Sequence, residues 1–213
     1  KKFLYSDQEI FLRELISNAV DATSKLKKLS SIGEYKGDLG DLKIEVLIDK
    51  PSKTITIKDR GIGMTSQEVK KYINQVAFSG AEEFVKKYKD DDNKSGIIGH
   101  FGLGFYSAFM VAEKVTVVSR SYKEESAIQW ESEGKTEYTL SEATRDRRGS
   151  DIILHISEEG EDYLDEGKIQ GLLTTYCKFM PIPIVFGENA VEEGEGEEKT
   201  TVTSPRVFNN SSP

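Results

Sequence analysis

The chain has 213 residues, 37% of them hydrophobic and 31% charged. That is enough to bury a real core, while no apolar run approaches the ~18 residues a membrane-spanning helix requires. The formal net charge of -8 is localised: residues 157–198 hold 12 Asp/Glu against 2 Lys/Arg, and residues 1–156 are balanced. An isoelectric point near 5.0 without a basic stripe argues against nucleic acid as a partner, and the single Cys177 excludes an intrachain disulfide and fits a reducing, cytoplasmic setting.

Taken in order, residues 6 to about 30, "SDQEIFLRELISNAVDATSKLKKLS", read as a long helix with Ser6 or Asp7 as cap and Glu9 placed for a capping box. The Gly-rich "SIGEYKGDLGD" is a loop, and "LKIEVLID" and "TITIKD", parted by Pro51 to Lys53, make a hairpin. Thr65 to Glu68 is a second capping-box pattern opening a helix, and "SGAEEFVKKYK" is a third helical stretch. Residues 90–104 are charged and then Gly-rich and lead into "FYSAFMVA", which has helical character. Four runs of strand character follow, "VTVVSRS", "AIQWE", "TEYTL" and "DIILHI", expected as an antiparallel meander. "KIQGLLTTYCKFM" reads as a helix, "PIPIVF" as a strand, and the acidic stretch over about 187–198 as a solvated loop. Helices and strands occur in runs without regular alternation. The expected fold is therefore α+β: a two-layer sandwich of a mainly antiparallel mixed sheet with helices packed on one face, formed by residues 1–213 as a single domain. The chain begins in "KKFLYSDQEI", without a visible signal peptide, and stops at "FNNSSP"; both ends read as cuts from something longer.

Three constellations carry chemistry. Gly99, Gly102 and Gly104 lie in "GHFGLGF", where Phe105 and Tyr106 stand in place of the Lys and Ser/Thr of a Walker loop. Small residues entering a helix N-terminus still favour an anion, although a flexible hinge accounts for them equally well. Glu14, Asn18 and Asp21 fall at i, i+4 and i+7, within about 60° of one another on one helix face. A solvated polar face is the usual meaning of such a stripe. Flanking Ile10 and Phe11, and an Asn inside a helix, favour instead an amide that holds Mg²⁺ beside a carboxylate that orients water. Asp59-Arg-Gly-Ile-Gly-Met64 puts an acceptor at the end of a strand with backbone that a flat ligand can approach, or is an ordinary turn before a capped helix. Trp130 reads as core, Cys177 as a buried small hydrophobe, and His100 and His155 as structural or surface residues without metal-ligand spacing.

"FLRELISNAVDA", "IKDRGIGMT", "SGAEEF", "GHFGLGFYSAF", "RRGSDIILHI" and "CKFMPIPI", in this order and over nearly the whole chain, resemble the N-terminal ATP-binding domain of the ninety-kilodalton heat-shock chaperone family, bacterial type. The first two and the glycine loop are shared more widely with DNA gyrase, mismatch-repair MutL and histidine kinases, the GHKL or Bergerat fold. The resemblance implies that Glu14 is the general base of ATP hydrolysis, Asn18 the Mg²⁺ ligand and Asp59 the carboxylate that binds the adenine amine. It likewise assigns Asp21, Gly63 and Met64 to the pocket, Gly99, Gly102, Gly104 and Phe105 to the phosphate side, Ser150 to a hydroxyl near the adenine, and residues from about 78 to 104 to a lid over ATP.

Three departures from the family pattern stand out. Ser150 replaces a Thr, Phe78 replaces a Lys, and the family's exchanged first strand is largely absent before Lys1, as is the middle domain that carries a further catalytic Arg. The implied activity is a Mg²⁺-dependent ATPase that binds ATP and ADP and turns over slowly as a monomer. In the full-length protein the family acts as a homodimer on client proteins, without nucleic acid or membrane. An ATPase domain of the gyrase or MutL kind is the alternative, since it would use the same Glu, Asn and Asp; a histidine kinase and a nucleotide sensor without catalysis are further rivals.

Overall fold

A computed structural model describes residues 8–74, 104–123, 126–135, 137–193 and 200–209. Helix α1, Ile10–Ser31, contains neither Gly nor Pro and repeats apolar residues at helical spacing. Phe11, Leu12, Leu15, Ile16, Ala19, Val20 and Leu26 are all buried along one side. It ends where Gly33 takes a φ of 76°, with Glu34 N–H donating to Leu29 O at 2.9 Å and Gly33 N–H to Ser30 O at 3.1 Å. That paired closure satisfies the last carbonyls. Ser6 and Asp7, expected to cap the other end, lie outside the described residues.

The hairpin forms as expected from strands β1, Ile44–Asp49, and β2, Thr54–Lys58, paired antiparallel, with Asp49 accepting from Ser52 N–H and Oγ at 3.1 and 2.9 Å in the turn. Helix α2, Ser66–Val69, opens with both halves of the Thr65–Glu68 capping box in place and continues as a π-turn over Lys70–Asn74. The third expected helix lies outside the described residues. Gly104–Met110 is a 3₁₀ helix. Strands β3, Ala112–Arg120, β4, Ala127–Ser132, β5, Tyr138–Ala143, and β6, Gly149–Ile156, follow. A second 3₁₀ helix, Glu158–Leu164, leads to helix α3, Glu166–Tyr176, and the chain closes with strands β7, Ile184–Glu193, and β8, Thr200–Val207.

The eight strands form one sheet in the order β5-β4-β3-β6-β2-β1-β7-β8. The expected four-strand meander is corrected here. Only β3, β4 and β5 run as neighbours, and β6 turns back to pair antiparallel with both β3 and β2. The reason is burial: Leu154 and Ile156 are buried on the helix-facing side, which a central position provides and an edge does not. β7 pairs parallel with β1, so the sheet is mixed and mostly antiparallel. The acidic stretch expected as a loop over about 187–198 is strand as far as Glu193, and β8 was not anticipated. Gly187, at a φ of 68°, sits where the β7–β8 register shifts, and Pro205 is tolerated because β8 is an edge.

α1 and α3 cover one face. Ile44 and Val46, Ile55 and Ile57, Val115 and Val117, and Ile184 and Phe186 point at them with the alternation of a half-buried sheet. Trp130 is core as expected, and Phe11 meets Tyr163 edge-on at 5.2 Å. Cys177 is buried, and desolvation pushes its thiol up to about 12.

Asn209 closes the far side of the core. Its amide accepts from Ile184 N–H at 2.7 Å and donates to Met180 O at 2.6 Å and Ile182 O at 2.7 Å. Asn209→Ala leaves these main-chain groups without partners in a buried position, so urea unfolding should show a loss of roughly 2–4 kcal/mol. A loss under about 0.5 kcal/mol would mean that water replaces the amide.

Candidate functional site

The Asp59–Met64 turn is built by close approach. Asp59 follows β2, and its Oδ1 accepts from Gly61 N–H at 2.8 Å. A Cβ on Gly61 would lie 2.5 Å from the carbonyl carbon of Ala22, on α1, and one on Gly63, whose φ is 62°, would lie 1.9 Å from Arg120 O, on β3. The turn therefore passes between helix and sheet with no room for a side chain at either point. Main-chain bonds fix it there: Ile62 N–H donates to Ala22 O at 3.2 Å, and Tyr122 N–H to Ile62 O at 2.8 Å.

Ser119 joins the pieces. Fully buried, it accepts from Met64 N–H at 2.8 Å, lies 2.9 Å from Ser150 Oγ and reaches Gly149 O at 3.2 Å. Asp59 N–H donates to Ser150 O at 2.9 Å. Asp59, Gly63, Met64 and Ser150, four of the residues singled out from sequence, are thus linked through one hydroxyl and one main-chain bond. Sequence reasoning passed over Ser119, which looks like one more polar residue in a strand.

Asp59 is 5% exposed. Desolvation pushes its carboxyl up to about 6, against the Gly61 N–H, the Arg145 guanidinium and the Ser150 main chain, all of which favour the ion; Asp151 opposes them. Arg145 was also missed from sequence. It donates through Nη2 to Asp59 O at 2.9 Å and to Asp151 Oδ1 at 3.0 Å.

The helix stripe divides. Glu14 is buried, whereas Asn18 and Asp21 are exposed. Arg13 holds Glu14 Oε1 at 2.9 Å through Nη2, and a Cβ on Gly104 would lie 2.6 Å from Oε2, so the start of the 3₁₀ helix abuts that carboxylate. Phe105 packs edge-on to Trp130 at 5.8 Å, which leaves its backbone as what it can offer a ligand. Gly99, Gly102 and Phe78, with the rest of the expected lid before Gly104, lie outside the described residues.

Mg²⁺ fits this donor set in one way. Among the described residues no group of three or more His, Cys, Asp or Glu could cage a metal. A single exposed amide one helical turn from a carboxylate suits an ion that takes its remaining ligands from phosphate and water. Beside Gly63 lies a hollow of about 250 Å³ lined by Lys25, Leu29, Ile62 and Tyr122 among others. A larger one of about 550 Å³, with Tyr35, Arg60, Arg120 and Arg148 in its wall, lies apart from Glu14 and Asp59. Three of its arginines are engaged: Arg148 and Arg120 bind main-chain carbonyls, and Arg60 binds Glu45 and Asp41.

A mixed sheet under helices, with a buried aspartate on a Gly-x-Gly turn facing a Glu-Asn helix, defines the class, and residues 5–151 match the model of that class. The chain belongs to the family of histidine kinase-, DNA gyrase B- and HSP90-like ATPases. Within it, the chain is 60% identical over 189 residues to the chaperone protein HtpG of Porphyromonas gingivalis, covering 88% of this chain and 27% of that one. It is 55% identical over 214 residues to HtpG of Bacteroides thetaiotaomicron, covering 100% and 30%, and 48% identical over 198 residues to HtpG of Pseudoalteromonas translucida, covering 92% and 31%. The chain thus spans under a third of the length of these relatives. No helix among the described residues is long and apolar enough to cross a membrane.

The raised Asp59 pKa carries a stability consequence whose sign is fixed. Its folded value lies above the ordinary 3.8, so its contribution is fully present below about pH 4 and is lost as pH rises through about 6. Asp59→Asn keeps the acceptor for Gly61 N–H and removes the charge. Denaturant unfolding of the nucleotide-free chain should find the variant more stable than wild type at pH 7.5, on the order of 2–3 kcal/mol, with the gap closing by pH 4. Equal stability at both pH values would show that the carboxylate is solvated after all.

Proposed function

We propose that the chain is the nucleotide-binding ATPase domain of a chaperone of the HtpG type, working in the cytoplasm. The observation that carries this reading is Asp59, an acceptor held in a buried turn whose Gly61 and Gly63 positions leave no room for a side chain. Such a group selects a flat ligand with an exocyclic amine, as adenine has. Ser150, Gly63 and Met64 complete the adenine side, and exposed Asp21 sits at its rim on α1.

On the phosphate side Glu14, buried and with Oε1 already taken by Arg13, presents Oε2 to orient a water and accept its proton. Asn18 would hold Mg²⁺, which when bound neutralises phosphate charge. Gly99, Gly102, Gly104 and Phe105 would contribute backbone N–H groups to the phosphates. We read residues about 78–104 as a lid and residues 1–213 as one functional domain. In the longer protein, ATP-driven lid closure and homodimerisation would act on client proteins. The isolated chain is proposed to be a slow, Mg²⁺-dependent, monomeric ATPase.

Calorimetric titration of ADP with Mg²⁺ tests the adenine side. Wild type should bind more tightly with Mg²⁺ than without, and Asp59→Ala should lose roughly 10- to 150-fold, the cost of about 1.5–3 kcal/mol for an ionised acceptor. A variant that binds as well as wild type would remove Asp59 from the pocket. Hydrolysis tests the other side: Glu14→Ala in the full-length protein should spare ATP binding and abolish phosphate release. Equal loss of both would make Glu14 a binding residue. Sedimentation of the chain at micromolar concentration should give a monomer.

A further inference from the structure

We propose that Arg145 is a positioning residue of the nucleotide pocket, holding the Asp59 peptide in place and keeping the Asp59 carboxylate in its acceptor form at neutral pH. The inference rests on the reading of Asp59 as the adenine acceptor, and its electrostatic half can be measured without any nucleotide.

The geometry is specific. Arg145 stands in the turn between β5 and β6, with only 12% of its side chain exposed. Nη2 bridges Asp59 O, at 2.9 Å, and Asp151 Oδ1, at 3.0 Å, while Nη1 donates to Arg147 O. Nε is buried without a partner. Hydrogen bonds to carbonyls alone could come from a neutral amide at less desolvation cost than a guanidinium incurs. What an amide lacks is charge, and the nearest anions that charge serves are Asp151 and Asp59.

Of the other charged groups around Asp59, Lys58, Arg60 and Arg120 are engaged with other residues. On its own strand and turn, Lys58 lies 3.9 Å from Asp151, and Arg60 faces Glu45 and Asp41. On β3, Arg120 binds the carbonyls of Arg145 and Asp146. Across the turn, α1 brings exposed Asp21, and Lys25 in the hollow beside Ile62 and Gly63. On β6, the Asp151 anion raises the Asp59 pKa, so Arg145 and Asp151 act on the carboxylate with opposite sign. Removing either moves it in a known direction.

The test is a pH titration of the Asp59 carboxyl carbon by NMR in the nucleotide-free chain, with Asp59→Asn identifying the resonance. Wild type should titrate near 6. Arg145→Gln, which keeps donors and loses charge, should titrate higher by about half a unit to one unit, and Arg145→Lys close to wild type. Asp151→Asn should titrate lower, a check that stands even where Arg145→Gln fails to fold.

ADP affinity should follow the same shifts. Arg145→Gln should bind roughly 3- to 8-fold more weakly than wild type near pH 5.5, roughly 1.5- to 3-fold near pH 6.5, and about equally at pH 8.5. A carboxyl midpoint unmoved in Arg145→Gln and Asp151→Asn, or a loss of affinity equal at every pH, overturns the proposal and leaves Arg145 a purely structural link. Shifted midpoints in a chain that binds no ADP at any pH would sustain the electrostatic role and overturn the adenine reading instead.

Discussion

The arrangement depends on one steric constraint: three backbone crossings at the end of β2 that leave no space for a methyl group. Gly61 lies against Ala22 on α1, Gly63 against Arg120 on β3, and Gly149, at a φ of 114°, against Asp59 O, 2.2 Å from where its Cβ would be. Helix, turn and two strands are thereby drawn to the closest separation backbone allows. Everything chemical at this end of the sheet, from the Ser119 hydroxyl to the Arg145 guanidinium, fits in the remaining gaps.

That closeness explains why Asp59 is both costly and useful. A carboxylate excluded from water loses more solvation than the surrounding N–H groups and one guanidinium return, and its raised pKa is the measure of the deficit. The same exclusion strengthens any hydrogen bond that a ligand brings to it. A residue that weakens the empty fold near neutral pH is a residue whose stabilisation is left for a partner to supply.

Local signals in the sequence were legible. The hairpin about Pro51 to Lys53, the Thr65–Glu68 box, α1 followed by a Gly-rich loop, and the three neighbouring strands β3 to β5 all follow from spacing and turn chemistry within a few residues. Of the candidate site residues, Asp59, Gly63 and Met64 were singled out by motif and Ser150 by family resemblance, and their linkage is what the fold adds. Nonlocal facts were not legible. Nothing in "DIILHI" says that it inserts between two strands made much earlier, and "TTVTSPRV", with a Pro near its end, conceals an edge strand. The contrast between buried Glu14 and exposed Asn18 comes from the 3₁₀ helix abutting α1, a contact across 90 residues. Arg145, in the charged run "RDRRG", is indistinguishable by composition from its neighbours, although it alone reaches Asp59 O.

The central place of β6 has a consequence for how the molecule comes into being. In chain order β1 and β2 come as one piece and β3, β4 and β5 as another, and among the described residues no hydrogen-bonded ladder joins those pieces except through Gly149–Ile156 between them. Ser150 and Gly149 arrive with that same strand. A chain that ends before β6 would lack the strand against which the Asp59 turn packs, so the proposed pocket could be complete only once that strand is in place. Nucleotide can reward only molecules that have completed the join.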